Sequence, residues 1–201
     1  MEVKNNKTEN PLAIYREKYK NADPEASARR SKLDYKDGVF TMKLLNRTVF
    51  LKWPEITAEY EGGQKMGNTN LILCARYAME GALIPSSGRM LAYSEMPWGP
   101  VYERQFRGRC MNRMAAVYGH NPDGFKAACE AIGGRAVKGG DAAYDIELMS
   151  GLVMRFILWL PDDEFPANAQ VVFSDNFPAA FTAEDMAVAG DVVLNAMKGR
   201  W

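Results

Sequence analysis

An aromatic loop carrying Tyr93, Trp98 and Tyr102 leads into a run of arginines, Arg104, Arg107, Arg109 and Arg113. A guanidinium grips a carboxylate or phosphate through paired hydrogen bonds and stacks on a ring. Tyr93, Trp98, Tyr102, Arg104 and Arg107 therefore suit a small anionic or cofactor-like ligand. On a helix turning about 100° per residue, however, Arg104 and Arg107 point away from Arg109 and Arg113, so the four make no single cluster. A solvated helix face is the ordinary alternative.

A second group is acidic: Asp162, Asp163 and Glu164 form a corner, with Asp175, Glu184 and Asp185 further along. Gathered at one end of a sheet, such carboxylates could hold a divalent ion or do acid–base work. No spacing matches a calcium loop, and acids in the first turn of a helix simply meet its dipole. No metal site is assigned. The single histidine, His120, excludes any zinc site built on two histidines, and its ordinary role is structural or solvated. The Gly-rich stretch from Glu61 to Gly67 lacks the phosphate-loop order of glycine, lysine and hydroxyl. Met79, Met90, Met96, Met111, Met114, Met149 and Met154 fall mostly at core-facing positions. No cofactor follows from the residues, and a catalytic set is not identified.

The elements that must position these groups are legible in outline. Leu12, Tyr15 and Tyr19 mark a helix from Pro11, and Asp23-Pro24-Glu25 starts a second towards Leu33. Phe40, Met42 and Leu44 alternate with polar residues, Asn46-Arg47 turns, and Val49, Leu51 and Trp53 return as a hairpin. Leu71, Ile72, Ala75, Ala78 and Met79 define one face of a helix, with Arg76 and Glu80 on the other. Gly81 to Gly99 is a long irregular connection, of the kind that binds something or moves. A helix follows Pro100, and Asn121-Pro122 starts a shorter one. Leu152 to Leu160, apolar on both faces except at Arg155, predicts a central strand. Thr182 with Asp185 resembles a capping box opening a helix to Met197. These elements give an α+β fold, one mixed or largely antiparallel sheet with helices packed over it. Residues 1–10 are expected to be a disordered lead-in and residues 11–201 one domain.

A chain of 201 residues can bury roughly 70% of its unfolded surface, so it needs no covalent staple. Three cysteines, Cys74, Cys110 and Cys129, are odd in number and form no C-x-x-C pair; they are expected to be buried and reduced. Lys plus Arg equals Asp plus Glu at 25 each, so no long-range field steers the protein towards nucleic acid or an anionic membrane. The start of the chain has no apolar signal core, and no run approaches the ~20 apolar residues of a membrane span. A cytoplasmic protein is the expectation.

Asn21-Ala22-Asp23-Pro24-Glu25, the hairpin from Phe40, Phe106, Tyr118-Gly119, Gly133-Gly134 and Gly140-Asp141 stand in a distinctive order. Asp162-Asp163-Glu164-Phe165-Pro166-Ala167, Phe173, Asp175 and Glu184-Asp185 complete it. In these the chain resembles a family of anaerobic bacteria and archaea catalogued as domain of unknown function 3786. The family has no established activity. The resemblance implies a helper role in anaerobic corrinoid or redox metabolism, because some members look fused to iron–sulfur segments. This chain has no cysteine-rich segment, so a partner would have to supply such a cluster.

Three functions stay open. The favoured one is a non-catalytic binding or accessory protein that takes a small ligand or a partner enzyme in a groove under the loop from Tyr93 to Tyr102. A divalent-metal enzyme using Asp163, Glu164 and Asp175 is the second. The third is a structural subunit, compatible with a homo-oligomer, whose aromatic loop is an interface.

Overall fold

The computed structural model describes residues 11–201; the expected lead-in over residues 1–10 lies outside the described residues. The chain opens with α1 (Pro11–Tyr19) and α2 (Pro24–Ser31). Asp23 caps α2 as its position predicts: one carboxylate oxygen accepts from the Glu25 and Ala26 amides at 2.9 and 3.1 Å.

A first antiparallel sheet follows, in the order β1 (Asp34–Lys36), β2 (Val39–Leu44), β3 (Arg47–Lys52) and β4 (Thr57–Tyr60). The predicted hairpin is β2 with β3, pairing Phe40 with Leu51 and Met42 with Val49, and all four side chains are buried. Its turn sits on Leu45 and Asn46, one residue earlier than the sequence suggests, with Leu45 in the left-handed region at φ 55°. The Leu45 amide is spoken for there: it donates to the Leu148 carbonyl at 2.8 Å and ties the hairpin to the second sheet.

After α3 (Asn68–Glu80) the irregular connection ends in β5 (Met90–Ala92) and a single 3-10 turn over Tyr93–Glu95. Then comes one long helical passage: α4 (Gly99–Phe106), a π-helical stretch over Arg107–Asn112, and α5 (Arg113–Tyr118). The chain continues through α6 (Pro122–Ala131), β6 (Arg135–Val137), β7 (Ala142–Met149), β8 (Leu152–Trp159), β9 (Asn168–Ser174), α7 (Phe177–Ala180) and α8 (Ala183–Ala196). The second sheet is antiparallel throughout, in the order β5-β9-β8-β7-β6.

β8 is the central strand, as its apolar run predicts. Leu152, Met154, Phe156 and Leu158 are fully buried on one face, while Val153, Arg155, Ile157 and Trp159 are half-buried on the other. Arg155 is accommodated by Asp145 directly opposite on β7, which accepts two bonds from its guanidinium at 2.6 and 3.1 Å. Over the sheet lies the long helical passage, and α8 packs against that passage. Gly190 of α8 meets the Cys110 sulfur, and a Cβ there would come within 2.4 Å of it, so this crossing requires glycine. One apolar core runs through both sheets.

The fold is α+β, with its strands divided between two antiparallel sheets where the sequence reading assembled one. The added strands β1, β4, β5 and β6 are three or four residues long, too short for alternation to register. Among the described residues no helix is long and apolar enough to cross a membrane.

Candidate functional site

The turn that carries Trp98 is built on a buried tyrosine. Tyr93 stacks on Phe106 with ring centroids 4.1 Å apart and planes within 7°, and its hydroxyl donates to the Ala183 carbonyl at 2.7 Å. From that anchor the Met96 amide donates to the Tyr93 carbonyl, the Gly99 amide to the Met96 carbonyl, and the Val101 amide to the Trp98 carbonyl. The turn is so tight that a Cβ on Gly99 would lie 1.9 Å from the Tyr93 carbonyl oxygen. Trp98 pays for this closeness with a left-handed backbone, φ 64° and ψ 0°, which a bulky side chain rarely adopts. Its indole is 74% exposed.

Beneath the indole is a cleft of ≈ 310 Å³ walled by Pro97, Trp98, Phe181 and Met186, with Arg76, Glu80 and Asp185 in its floor. Two helices, α3 and α8, supply the polar floor, and α1 braces it. Arg76 Nε lies 3.0 Å from Asp185 Oδ1, an ion pair outside hydrogen-bond geometry. Arg76 Nη1 donates to the Tyr15 hydroxyl at 3.1 Å, and Nη2 faces Glu80 at 3.8 Å. Glu80 also accepts from Lys18 and from the Tyr19 hydroxyl. Asp185 closes the capping box of α8, accepting from the Thr182 amide at 3.1 Å and hydroxyl at 2.7 Å.

Burial sets the charge balance of this floor. It pushes the Asp185 carboxyl above its ordinary value despite the opposing pull of Thr182 and Arg76. At Glu80 burial acts in the same sense but is outweighed by the hydrogen bonds from Lys18 and Tyr19, so that carboxyl is held below its ordinary value. Burial would also lower Arg76, and the Asp185 charge reverses this, so the guanidinium stays charged. Each nitrogen of Arg76 faces a protein oxygen, which leaves the floor without an uncommitted cation for an anionic ligand.

The expected ligand residues do not converge on one cavity. Trp98 lines the cleft. Tyr93 and Arg107 instead border a second depression of ≈ 290 Å³ together with Glu103, Trp159 and Gln170. There Arg107 faces Glu103 at 3.5 Å. Tyr102 and Arg104 are exposed on α4 and line neither. Arg109 and Arg113 turn the other way and hold Asp191 of α8.

The carboxylates of the acidic corner are also separated. Asp162, Asp163 and Glu164 are exposed just before β9, whereas Asp175 follows its far end. Seven strand residues place those ends roughly 20 Å apart. Asp162 accepts from the Glu164 and Phe165 amides at 2.9 and 2.7 Å, and these bonds hold its carboxyl below the ordinary range. Asp175 is held low by Ser86 and Ser87, which strap the connection after α3 onto it. Among the described residues no three of His, Cys, Asp and Glu are grouped as a metal ion would need. His120 is exposed. The Gly-rich stretch is a turn closed on itself, with the Tyr60 amide donating to the Gln64 carbonyl at 2.8 Å.

Of the cleft residues, sequence reasoning assigned Arg76 and Glu80 to a solvent-facing helix edge, and set Asp185 among the acidic group and in a cap. The one available signal was an arginine inside an otherwise apolar helix whose neighbouring turn carries a glutamate.

A family model described as Domain of unknown function (DUF3786) matches residues 23–196. The chain belongs to this family. The DUF3786 match takes in both the floor and the wall of the Trp98 cleft, and also the acidic corner. No curated protein and no solved structure matches the chain.

Proposed function

We propose that this DUF3786 protein is a non-catalytic binding or accessory protein that holds a small ligand in the cleft under Trp98. The observation that carries this is the indole itself: 74% exposed, fixed in a costly backbone conformation, at the mouth of a concavity. Its volume is at the lower end of ligand sites, roughly 300–1,000 Å³. With Arg76 engaged by Asp185, Glu80 and Tyr15, the cleft favours a ring or apolar body stacked on Trp98 over a bare anion. The cytoplasm is its proposed location, and its balanced charge of 25 basic and 25 acidic residues supports partners other than nucleic acid.

The test is a thermal-shift screen with a corrinoid, a porphyrin, adenine nucleotides and aromatic carboxylates. A compound at 100 times its Kd should stabilise the protein by about 2.7 kcal/mol. Trp98→Ala should abolish that shift. If no compound raises Tm, or if Trp98→Ala leaves a shift intact, the reading fails.

A second reading has its own observation. Val101 and Tyr102, 63% and 41% exposed, continue the apolar strip from Trp98 along α4 at the spacing of one helical face. That strip suits an interface, and a co-purifying partner lost on Val101→Asp would favour it. The divalent-metal enzyme loses its geometric basis, because Asp163 and Glu164 sit at the opposite end of β9 from Asp175.

A further inference from the structure

A larger concavity than the Trp98 cleft is an open groove of ≈ 700 Å³ at the acidic corner, lined by Asp141, Trp159, Leu160, Asp162, Phe165 and Pro166. Trp159 and Asn168 also border the depression that holds Arg107, so the groove and that depression are neighbours at the end of β8 and β9. Small ligands fill enclosed pockets; an open trough of this volume suits a stretch of chain.

Its charge is of one sign. At the Phe165 end the lining includes two aspartates and no lysine or arginine, and Asp163 and Glu164 project into water beside it. Arg107 and Glu103 in the neighbouring depression neutralise each other. The surplus is therefore negative, and the apolar contact comes from Trp159, Leu160, Pro166 and Phe165. Phe165 is 65% exposed, yet its turn is tightly drawn. Asp162 accepts from the Phe165 amide and donates its own amide to the Phe165 carbonyl at 3.0 Å. A ring held in water by a fixed backbone is presented ready for contact, with little ordering entropy left to lose.

We infer that this trough docks an extended, lysine- or arginine-bearing segment of a partner protein, which lays an aliphatic or aromatic side chain against Phe165 and Trp159. The basic groups of the segment meet Asp141, Asp162, Asp163 and Glu164, and the apolar side chain covers the exposed ring. This surface is separate from the Trp98 cleft, so either assignment can fail alone.

Fluorescence anisotropy on the full chain tests it with three labelled probes: a short peptide alternating lysine with leucine, one alternating glutamate with leucine, and one alternating lysine with glycine. The lysine–leucine peptide should bind and the glutamate–leucine peptide should not. The lysine–glycine peptide should bind about tenfold more weakly, the share expected of an apolar anchor. Phe165→Ala should weaken the lysine–leucine peptide about tenfold while leaving the lysine–glycine peptide unchanged. Asp163→Lys should weaken both, and Trp98→Ala neither. All three substituted positions are exposed, so an intact cooperative unfolding transition confirms that the variants fold. The assignment is overturned if lysine–leucine does not bind, if lysine–glycine binds equally well, if Phe165→Ala is silent, or if Trp98→Ala is as damaging.

Discussion

The cleft under Trp98 and the corner at Phe165 each set an exposed ring beside an aspartate that accepts two hydrogen bonds. The two aspartates are nevertheless driven in opposite directions. Asp185 is 5% exposed, and burial raises its carboxyl even with Arg76 beside it. Asp162 stands in water, and the same number of hydrogen bonds lowers its carboxyl. Hydrogen bonding alone therefore does not decide which state an acid prefers; desolvation does. A polar floor that is dry and internally paired suits a ligand that brings little charge. A wet rim of unpaired acids suits a basic partner.

The sharpest way to break this contrast is to remove the cation from the dry floor. Arg76→Ala leaves Asp185 buried without its counter-charge and should cost about 3 kcal/mol in denaturant unfolding at neutral pH. A raised folded-state pKa favours the folded state below the unfolded value near 3.9, an advantage lost as pH rises through the folded value. The deficit of Arg76→Ala should therefore narrow as pH falls towards 4. A deficit under about 1 kcal/mol at neutral pH would show that the floor is wetter than its burial indicates.

The wet rim should give the opposite profile. The lowered Asp162 carboxyl contributes stability above the unfolded value near 3.9 and loses it as pH falls through its own folded value. Asp162→Asn keeps an oxygen to accept from the Glu164 and Phe165 amides but removes the titration. Its stability should lie below the parent's at pH 7, fall less steeply below pH 4 and converge on the parent's in acid. Parallel acid limbs for the two proteins would remove this side of the contrast.

The smallest effect has the most telling sign. Trp98→Gly relieves a left-handed backbone at the cost of an indole that is mostly in water, so it should stabilise the protein by about 1 kcal/mol while eliminating any ligand-induced shift. A loss of stability instead would mean that the indole is held by packing and not presented at a cost.

How much of this was legible in the sequence follows from the range of the interactions involved. Asp23, the Phe40 to Leu51 hairpin, the run through β8 and the Thr182–Asp185 box are local patterns, and each appears where its residues place it, the hairpin's turn one residue early. The π-helical stretch over Arg107–Asn112 has no period of its own to announce it. The cleft was half legible. Trp98 stands out in an irregular loop, but the floor pairs Arg76 with an aspartate more than a hundred residues later and with a tyrosine on α1. Helical periodicity assigns Arg76 and Glu80 to solvent because it cannot see α1 and α8 closing over that edge. The acidic corner shows the reverse error. Proximity along the chain suggested that Asp163 and Asp175 could meet, and one intervening strand carries them to opposite ends of the sheet.

The three cysteines, all buried, offer a practical handle. Burial pushes the Cys74 and Cys110 thiols up to about 12 and Cys129 in the same direction, so none supplies appreciable thiolate near neutrality. Alkylating reagents are therefore expected to leave the native protein largely unmodified. A sulfhydryl installed by Trp98→Cys or by Phe165→Cys would then be the lone reactive centre, and its modification rate would report occupancy of cleft or trough one at a time.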